Sequence, residues 1–274
     1  MASIVRAAQA VGRSYTAVGY DVKKDSVYMD ICSPRGMVTA TALMRRLKIA
    51  GLGWLATVCS SFVWISRAST KRTVASPRGS PSSASAIMGN RMCARSALLF
   101  LFCTAKQGWA VIEQPISSVL ASHPAARFLQ DLADAFSWCG WHVANSYMGA
   151  FGGATPKMHR FFSNHRLVHA LSRDRPSLSS FGSASRDVTR VDEVVNSEGR
   201  IVKRKITGAP GLKGTENYSD EFGEAVVQTW ESFAGLTQDP VDLDVEPVPF
   251  SPSAWEDLCM DDVLQMLQQD AGAE

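Results

Sequence analysis

Residues Ile49 to Ile65 read IAGLGWLATVCSSFVWI. The fold turns on whether this run crosses a membrane or forms a buried strand that opens into a loop. It barely reaches the ~18 apolar residues of a spanning helix. Gly51, Gly53, Thr57, Ser60 and Ser61 interrupt it. A buried strand over Leu52 to Val58, punctuated by the two glycines and delivering Cys59 at its end, is the better reading.

Upstream, Tyr15 to Val22 reads as a short strand with Asp21 near its end, and Met37 to Lys48 has helical periodicity with a basic outer face. Downstream, Ser66 to Asn90 is a polar loop rich in Ser, Pro, Gly and Arg. Arg91 to Lys106 follows as a mostly buried helix, and Trp109 to Glu113 as a strand stopped by Pro115. Pro124 to Cys139 reads as a helix. Trp141 to Tyr147 and His159 to Ser163 read as two strands joined by a glycine turn, Gly149 to Gly153.

Strands alternating with helices predict an α/β fold, a mostly parallel sheet covered on both faces and finished by an antiparallel hairpin. Ligands of such sheets sit beyond the carboxyl ends of the strands. Cys59 follows one strand and Glu113 closes another, so both are expected in one crevice.

Past Arg166 the pattern is irregular. Ser172 to Ser185 reads as loop, Val188 to Ile206 as a hairpin turning at Ser197, Glu198 and Gly199, and Tyr218 to Phe233 as a helix. Val241 to Pro252 is Pro-rich and extended. Trp255 to Gln269 reads as a short acidic amphipathic helix, with Ser253 and Glu256 as a capping box.

The chain has 274 residues, 46% of them hydrophobic, enough for one sizeable core with an appendage. Its net charge of +2 hides an uneven distribution. Lys157 to Lys213 is rich in Lys and Arg, whereas the segment after Gln238 has neither. That asymmetry suggests a surface facing a polyanion beside a self-shielding or partner-binding segment. The six cysteines form no CxxC pair and no His lies at finger spacing, so no metal site is expected. No secretory signal is read at the N-terminus, which points to an intracellular protein of nucleus or cytoplasm.

A Cys and a Glu at neighbouring strand ends match one particular chemistry. Methylating carbon 5 of cytosine requires a thiolate to add at carbon 6. It also requires an acid at ring nitrogen 3 and a base that has left the stack. The thiolate needs positive charge nearby, which Arg67, Lys71 and Arg72 are placed to give.

The first 165 residues resemble the cytosine-5 DNA methyltransferase family. Thr57-Val58-Cys59-Ser60-Ser61 resembles its nucleophile loop, and Glu113-Gln114-Pro115 its cytosine-binding motif. Tyr20-Asp21-Val22 and Met29-Asp30-Ile31 resemble its ribose- and adenine-binding motifs. Gly152 to Phe162 resembles the segment that ends in its arginines, and Leu212 to Phe222 its segment after target recognition.

The resemblance implies a Rossmann-like methyltransferase sheet using S-adenosylmethionine, held by Asp21 and Asp30. Cys59 would be the nucleophile, Glu113 the acid and Arg160 an orienting residue. Arg67, Lys71, Arg72 and Arg78 would meet DNA, with RNA as the alternative. The implied organisation is a methyltransferase-like α/β domain over 1–165, a basic extension and target-recognition remnant over 166–237, and an acidic tail over 238–274, whose helix is a candidate for a protein partner.

The sequence departs from the family at Val58, where the motif has Pro, and at Gln114, where it has Asn. The Gly-rich cofactor motif is not found, so the sheet is expected to be incomplete at the N-terminus. A second expectation therefore stands beside the first: a truncated, catalytically dead relative, such as a mobile-element copy, that at most binds nucleic acid.

Overall fold

A computed structural model describes residues 2–11, 17–21, 23–136, 139–153, 155–177, 189–208 and 218–236. The chain is mixed α/β. Its main sheet has four strands: β1 (Leu52–Leu55), β2 (Trp109–Pro115), β3 (His142–Tyr147) and β4 (Met158–Ser163), in the order β1-β2-β4-β3. β1 and β2 pair in parallel, and β4 pairs antiparallel with both β2 and β3.

The sheet is therefore not mostly parallel in its pairings. β1, β2 and β3 do run the same way, as their alternation with helices predicts. The short glycine turn after β3 sends β4 back between β3 and β2, and this converts two of the three ladders to antiparallel. Gly152 adopts φ +71 in that turn, a conformation that favours glycine.

Helices cover both faces, as expected of a sheet with two apolar sides. One face carries Trp54, Trp109, Val111, Ala144 and Phe161. It is covered by α6 (Asp220–Leu236) and by α1 (Ala2–Ala10), which lies against α6. Phe222 stacks on Phe161 with ring centroids 5.7 Å apart, and Phe233 lies 6.3 Å from Trp109. The other face carries Ala110, Ile112 and Phe162 and packs on α4 (Ala84–Ala105) and α5 (Pro124–Ala135). α2 (Pro34–Arg45) packs outside α4.

The expected division at residue 165 does not coincide with the packing. Phe222, Val226 and Phe233 of α6 belong to the same core as β1 and β4. The strands β5 (Thr189–Val195) and β6 (Ile201–Gly208) form the expected antiparallel hairpin. The acidic helix expected over Trp255 to Gln269 lies outside the described residues. The strand expected over Tyr15 to Val22 lies partly outside them, and its described part, residues 17–21, carries no strand.

Cap residues move the helix starts upstream of where apolar periodicity places them. Ser33 accepts from the Gly36 amide ahead of α2, with Pro34 in the first turn. Ser83 accepts from Ala86 ahead of α4. The 22-residue α4 is long and apolar enough to span a membrane, but here it packs as a core helix.

The segment between β1 and α4 is held by one buried cation. Arg72 was expected on a nucleic-acid surface and is instead 0% exposed. Its Nη2 donates to the Ala86 carbonyl at 2.8 Å and to Ser61 Oγ at 3.3 Å. Its Nη1 donates to Asn90 Oδ1 at 2.8 Å and to the Pro77 carbonyl. The guanidinium also lies 4.0 Å over the Phe62 ring. A 3-10 turn (Trp64–Ser66) and the one-turn α3 (Arg67–Thr70) are the helical pieces of this otherwise irregular segment.

Gly89 makes the close approach feasible, because a Cβ there would lie 2.1 Å from Ser61 Oγ and 2.8 Å from Arg72 Nη2. Replacing Arg72 with Leu strands several buried acceptors and should cost roughly 3 kcal/mol. Urea unfolding should then show a lower midpoint with unchanged slope; an unchanged midpoint would show that Arg72 does not anchor the segment.

Candidate functional site

The carboxyl ends of β1 and β2 meet where the chain leaves the sheet. Gln114 Nε2 donates to the Thr57 carbonyl at 2.6 Å, tying the segment after β1 to β2. Gln114 Oε1 accepts from Ser118 Oγ at 2.9 Å. Cys59 opens a tight turn, its carbonyl accepting from the Phe62 amide at 2.8 Å. Its side chain is half-buried.

Side chains alternate along a strand, so Glu113 and Gln114 face opposite sides of the sheet. Glu113 lies on the α6 side, in register with Phe161. It is only 7% exposed. The start of β4 reaches the same edge, and His159 Nδ1 forms an ion pair with Glu113 Oε1. The Tyr218 hydroxyl, just ahead of α6, donates to Glu113 Oε2 at 2.7 Å. Both carboxylate oxygens are thus engaged.

Burial pushes the Glu113 pKa up. The His159 charge and hydrogen bond, the Tyr218 hydroxyl and the Lys157 charge together outweigh it, and the net shift is downward from 4.5. Burial raises the Tyr218 pKa well above its ordinary value, and the Glu113 charge raises it further. Cys59 is near enough to act electrostatically on that hydroxyl. Cys59, Tyr218, Glu113 and His159 therefore form one neighbourhood. Trp54 walls it, its ring edge-on to Tyr218 at 6.5 Å.

Sequence reasoning placed Cys59 and Glu113 here and missed His159 and Tyr218. Arg160, expected as the orienting residue, stands in register with Gln114 and so shares the face opposite Glu113. Its Nε donates to Asn145 Oδ1 at 3.0 Å. The alternation His159, Phe161, Ser163 along an inward face was the available signal for His159. Tyr218 is 105 residues from Glu113 and carried no signal of its own.

Asp21 and Asp30 are engaged elsewhere. Asp21 Oδ1 accepts from the Lys23 amide at 2.9 Å. Asp30 Oδ1 accepts from the Cys32 amide at 2.8 Å, closing the turn ahead of α2. Arg95 of α4 fastens that turn by donating to the carbonyls of Ile31 at 2.6 Å and Ser33 at 2.9 Å.

Of the cations expected to meet nucleic acid, Arg67, Lys71 and Arg78 are exposed and Arg72 is buried. Among the described residues no three His, Cys, Asp or Glu side chains gather as metal ligands.

No protein-family model matches the chain, and no curated protein or solved structure is significantly similar to it.

One further histidine titrates unusually. His123 caps α5, its Nδ1 accepting from the Ala125 amide at 3.3 Å while Nε2 lies 3.2 Å from Asn90 Oδ1. Burial, followed by the charges of Arg72 and Arg78, lowers its pKa from 6.5 to about 4. The unfolded chain therefore binds this proton first on acidification. Stability is full above pH 6.5 and falls as pH drops towards 4, by up to about 3 kcal/mol. Urea midpoints measured across this range should decline in the natural chain and stay flatter in His123→Asn, which keeps a capping side chain. Equal declines in both would assign the titration to another group.

Proposed function

We propose that this chain is a methyltransferase-like α/β domain that binds nucleic acid through the cationic segment after Cys59 and does not transfer methyl groups. The state of Glu113 carries this reading. Cytosine chemistry needs that carboxyl open to a base edge and able to hold a proton at ring nitrogen 3. Here it is buried, both oxygens are taken, and its pKa is depressed. A base reaching the carboxylate would have to displace Tyr218 or His159. Arg67, Lys71 and Arg78 remain exposed for phosphate contacts, while Arg72 anchors the segment that bears them.

A second reading, cytosine-5 methyl transfer to DNA, is supported by the half-buried Cys59 at the end of β1. Its thiolate would add to carbon 6 of an extruded cytosine, carbon 5 would take the methyl group of S-adenosylmethionine with the thioether leaving, and loss of the carbon 5 proton to a water base would expel the thiolate.

A duplex carrying 5-fluorocytosine separates the two. The expected results are no covalent adduct, no calorimetric heat with S-adenosylmethionine, and duplex binding that weakens steeply with salt. An adduct that disappears in Cys59→Ser would replace the proposal with methyl transfer. Loss of all binding to DNA, and to RNA of the same sequence, would remove the nucleic-acid role.

A further inference from the structure

We propose that the acidic segment 238–274 docks on the cationic and apolar surface beside Cys59 and masks it from nucleic acid. This rests on the nucleic-acid reading only for its consequence, not for the docking itself. Between Asp30 and Glu113 the chain has eleven Lys and Arg residues and no Asp or Glu. Residues 238–274 have ten Asp and Glu and no Lys or Arg. Each segment is a field of one sign, and the two signs are complementary.

The match extends to apolar groups. The same stretch of chain that carries Arg67, Lys71 and Arg78 exposes Val58 at 52% and Trp64 at 46%. Large apolar side chains next to uncompensated cations suit an acidic amphipathic partner better than bulk water. Trp255 to Gln269 has that composition, with Trp255, Leu258, Val263, Leu264 and Leu267 interspersed with Glu256, Asp257, Asp261 and Asp262.

The reach is sufficient. α6 ends far from Cys59, because Trp230 Nε1 donates to the Ala50 carbonyl at 2.6 Å and Phe233 packs on Trp109, at the entry ends of β1 and β2. The return path is about the length of α6, roughly 25 Å for 17 residues. The Pro-rich chain from Leu236 to Trp255 spans up to roughly 60 Å when extended.

Cys259 lies in the acidic segment, and Cys59 is half-buried, whereas Cys32, Cys93, Cys103 and Cys139 are buried. A short bis-maleimide should therefore link Cys59 to Cys259 within one full-length chain at low salt, independently of protein concentration. Peptide mapping should show the yield falling about tenfold in 1 M salt and in the triple variant Arg67→Glu, Lys71→Glu, Arg78→Glu, as screening and charge reversal require. In the full chain, Glu256→Gln with Asp257→Asn, Asp261→Asn and Asp262→Asn should lower the yield and tighten duplex binding about tenfold.

No link, a link indifferent to charge and salt, or a link only between chains would overturn the docking. A link that behaves as expected with no gain in duplex affinity would leave the docked segment standing and overturn the nucleic-acid reading of the surface.

Discussion

A carboxylate withdrawn from water must find its charge balanced by fixed neighbours, and Glu113 finds it in His159 and Tyr218. Those two partners come from β4 and from the approach to α6. The contact therefore joins three separate parts of the chain around one charge. It depends on the direction of β4 beside β2, which brings His159 to the edge where β2 ends. It also seats the start of α6, and α6 in turn covers the aromatic face of Trp54, Trp109 and Phe161. Removing either partner would leave a buried charge short of a donor, a larger penalty than the net worth of any one of these hydrogen bonds.

The second buried charge follows a different rule. Arg72 is held by neutral oxygens and the face of Phe62 rather than by an acid, with its buried Nε left without a hydrogen-bond partner. Its burial turns a stretch rich in Ser, Pro and Gly into a defined segment, with Asn90 linking it to His123 and so to α5. The charges left outside, Arg67, Lys71 and Arg78, are then displayed from a fixed base. One arginine gives the segment its shape and the others give it its field. Both roles lie within the same short piece of chain, beside the turn that carries Cys59.

The sequence made the layered α/β plan legible because apolar periodicity switches cleanly between strand and helix from Leu52 to Ser163. Cys59 and Glu113 could be placed at one edge on that basis alone. Pairing order could not be read: β3 runs with β1 and β2, and only the turn at Gly152 puts β4 between β3 and β2. The N-terminal helix was overlooked although Ile4, Ala7 and Ala8 have helical spacing and become core. Burial of a charge was the least legible feature. Arg72 looks like any other basic loop residue, and its fate depends on Gly89 leaving room and on acceptors up to 18 residues away. Tyr218 depends on a contact across most of the chain.

The non-catalytic reading requires Glu113 to be held as a sealed anion. Its side-chain carboxyl can be titrated directly by carbon-13 NMR, assigned by comparison with Glu113→Gln. The midpoint should fall below 4.5, the ordinary value, and remain there whether or not duplex DNA is present. A midpoint well above 4.5, marking a protonated carboxyl ready to serve a base, would contradict the account and return the site to catalysis.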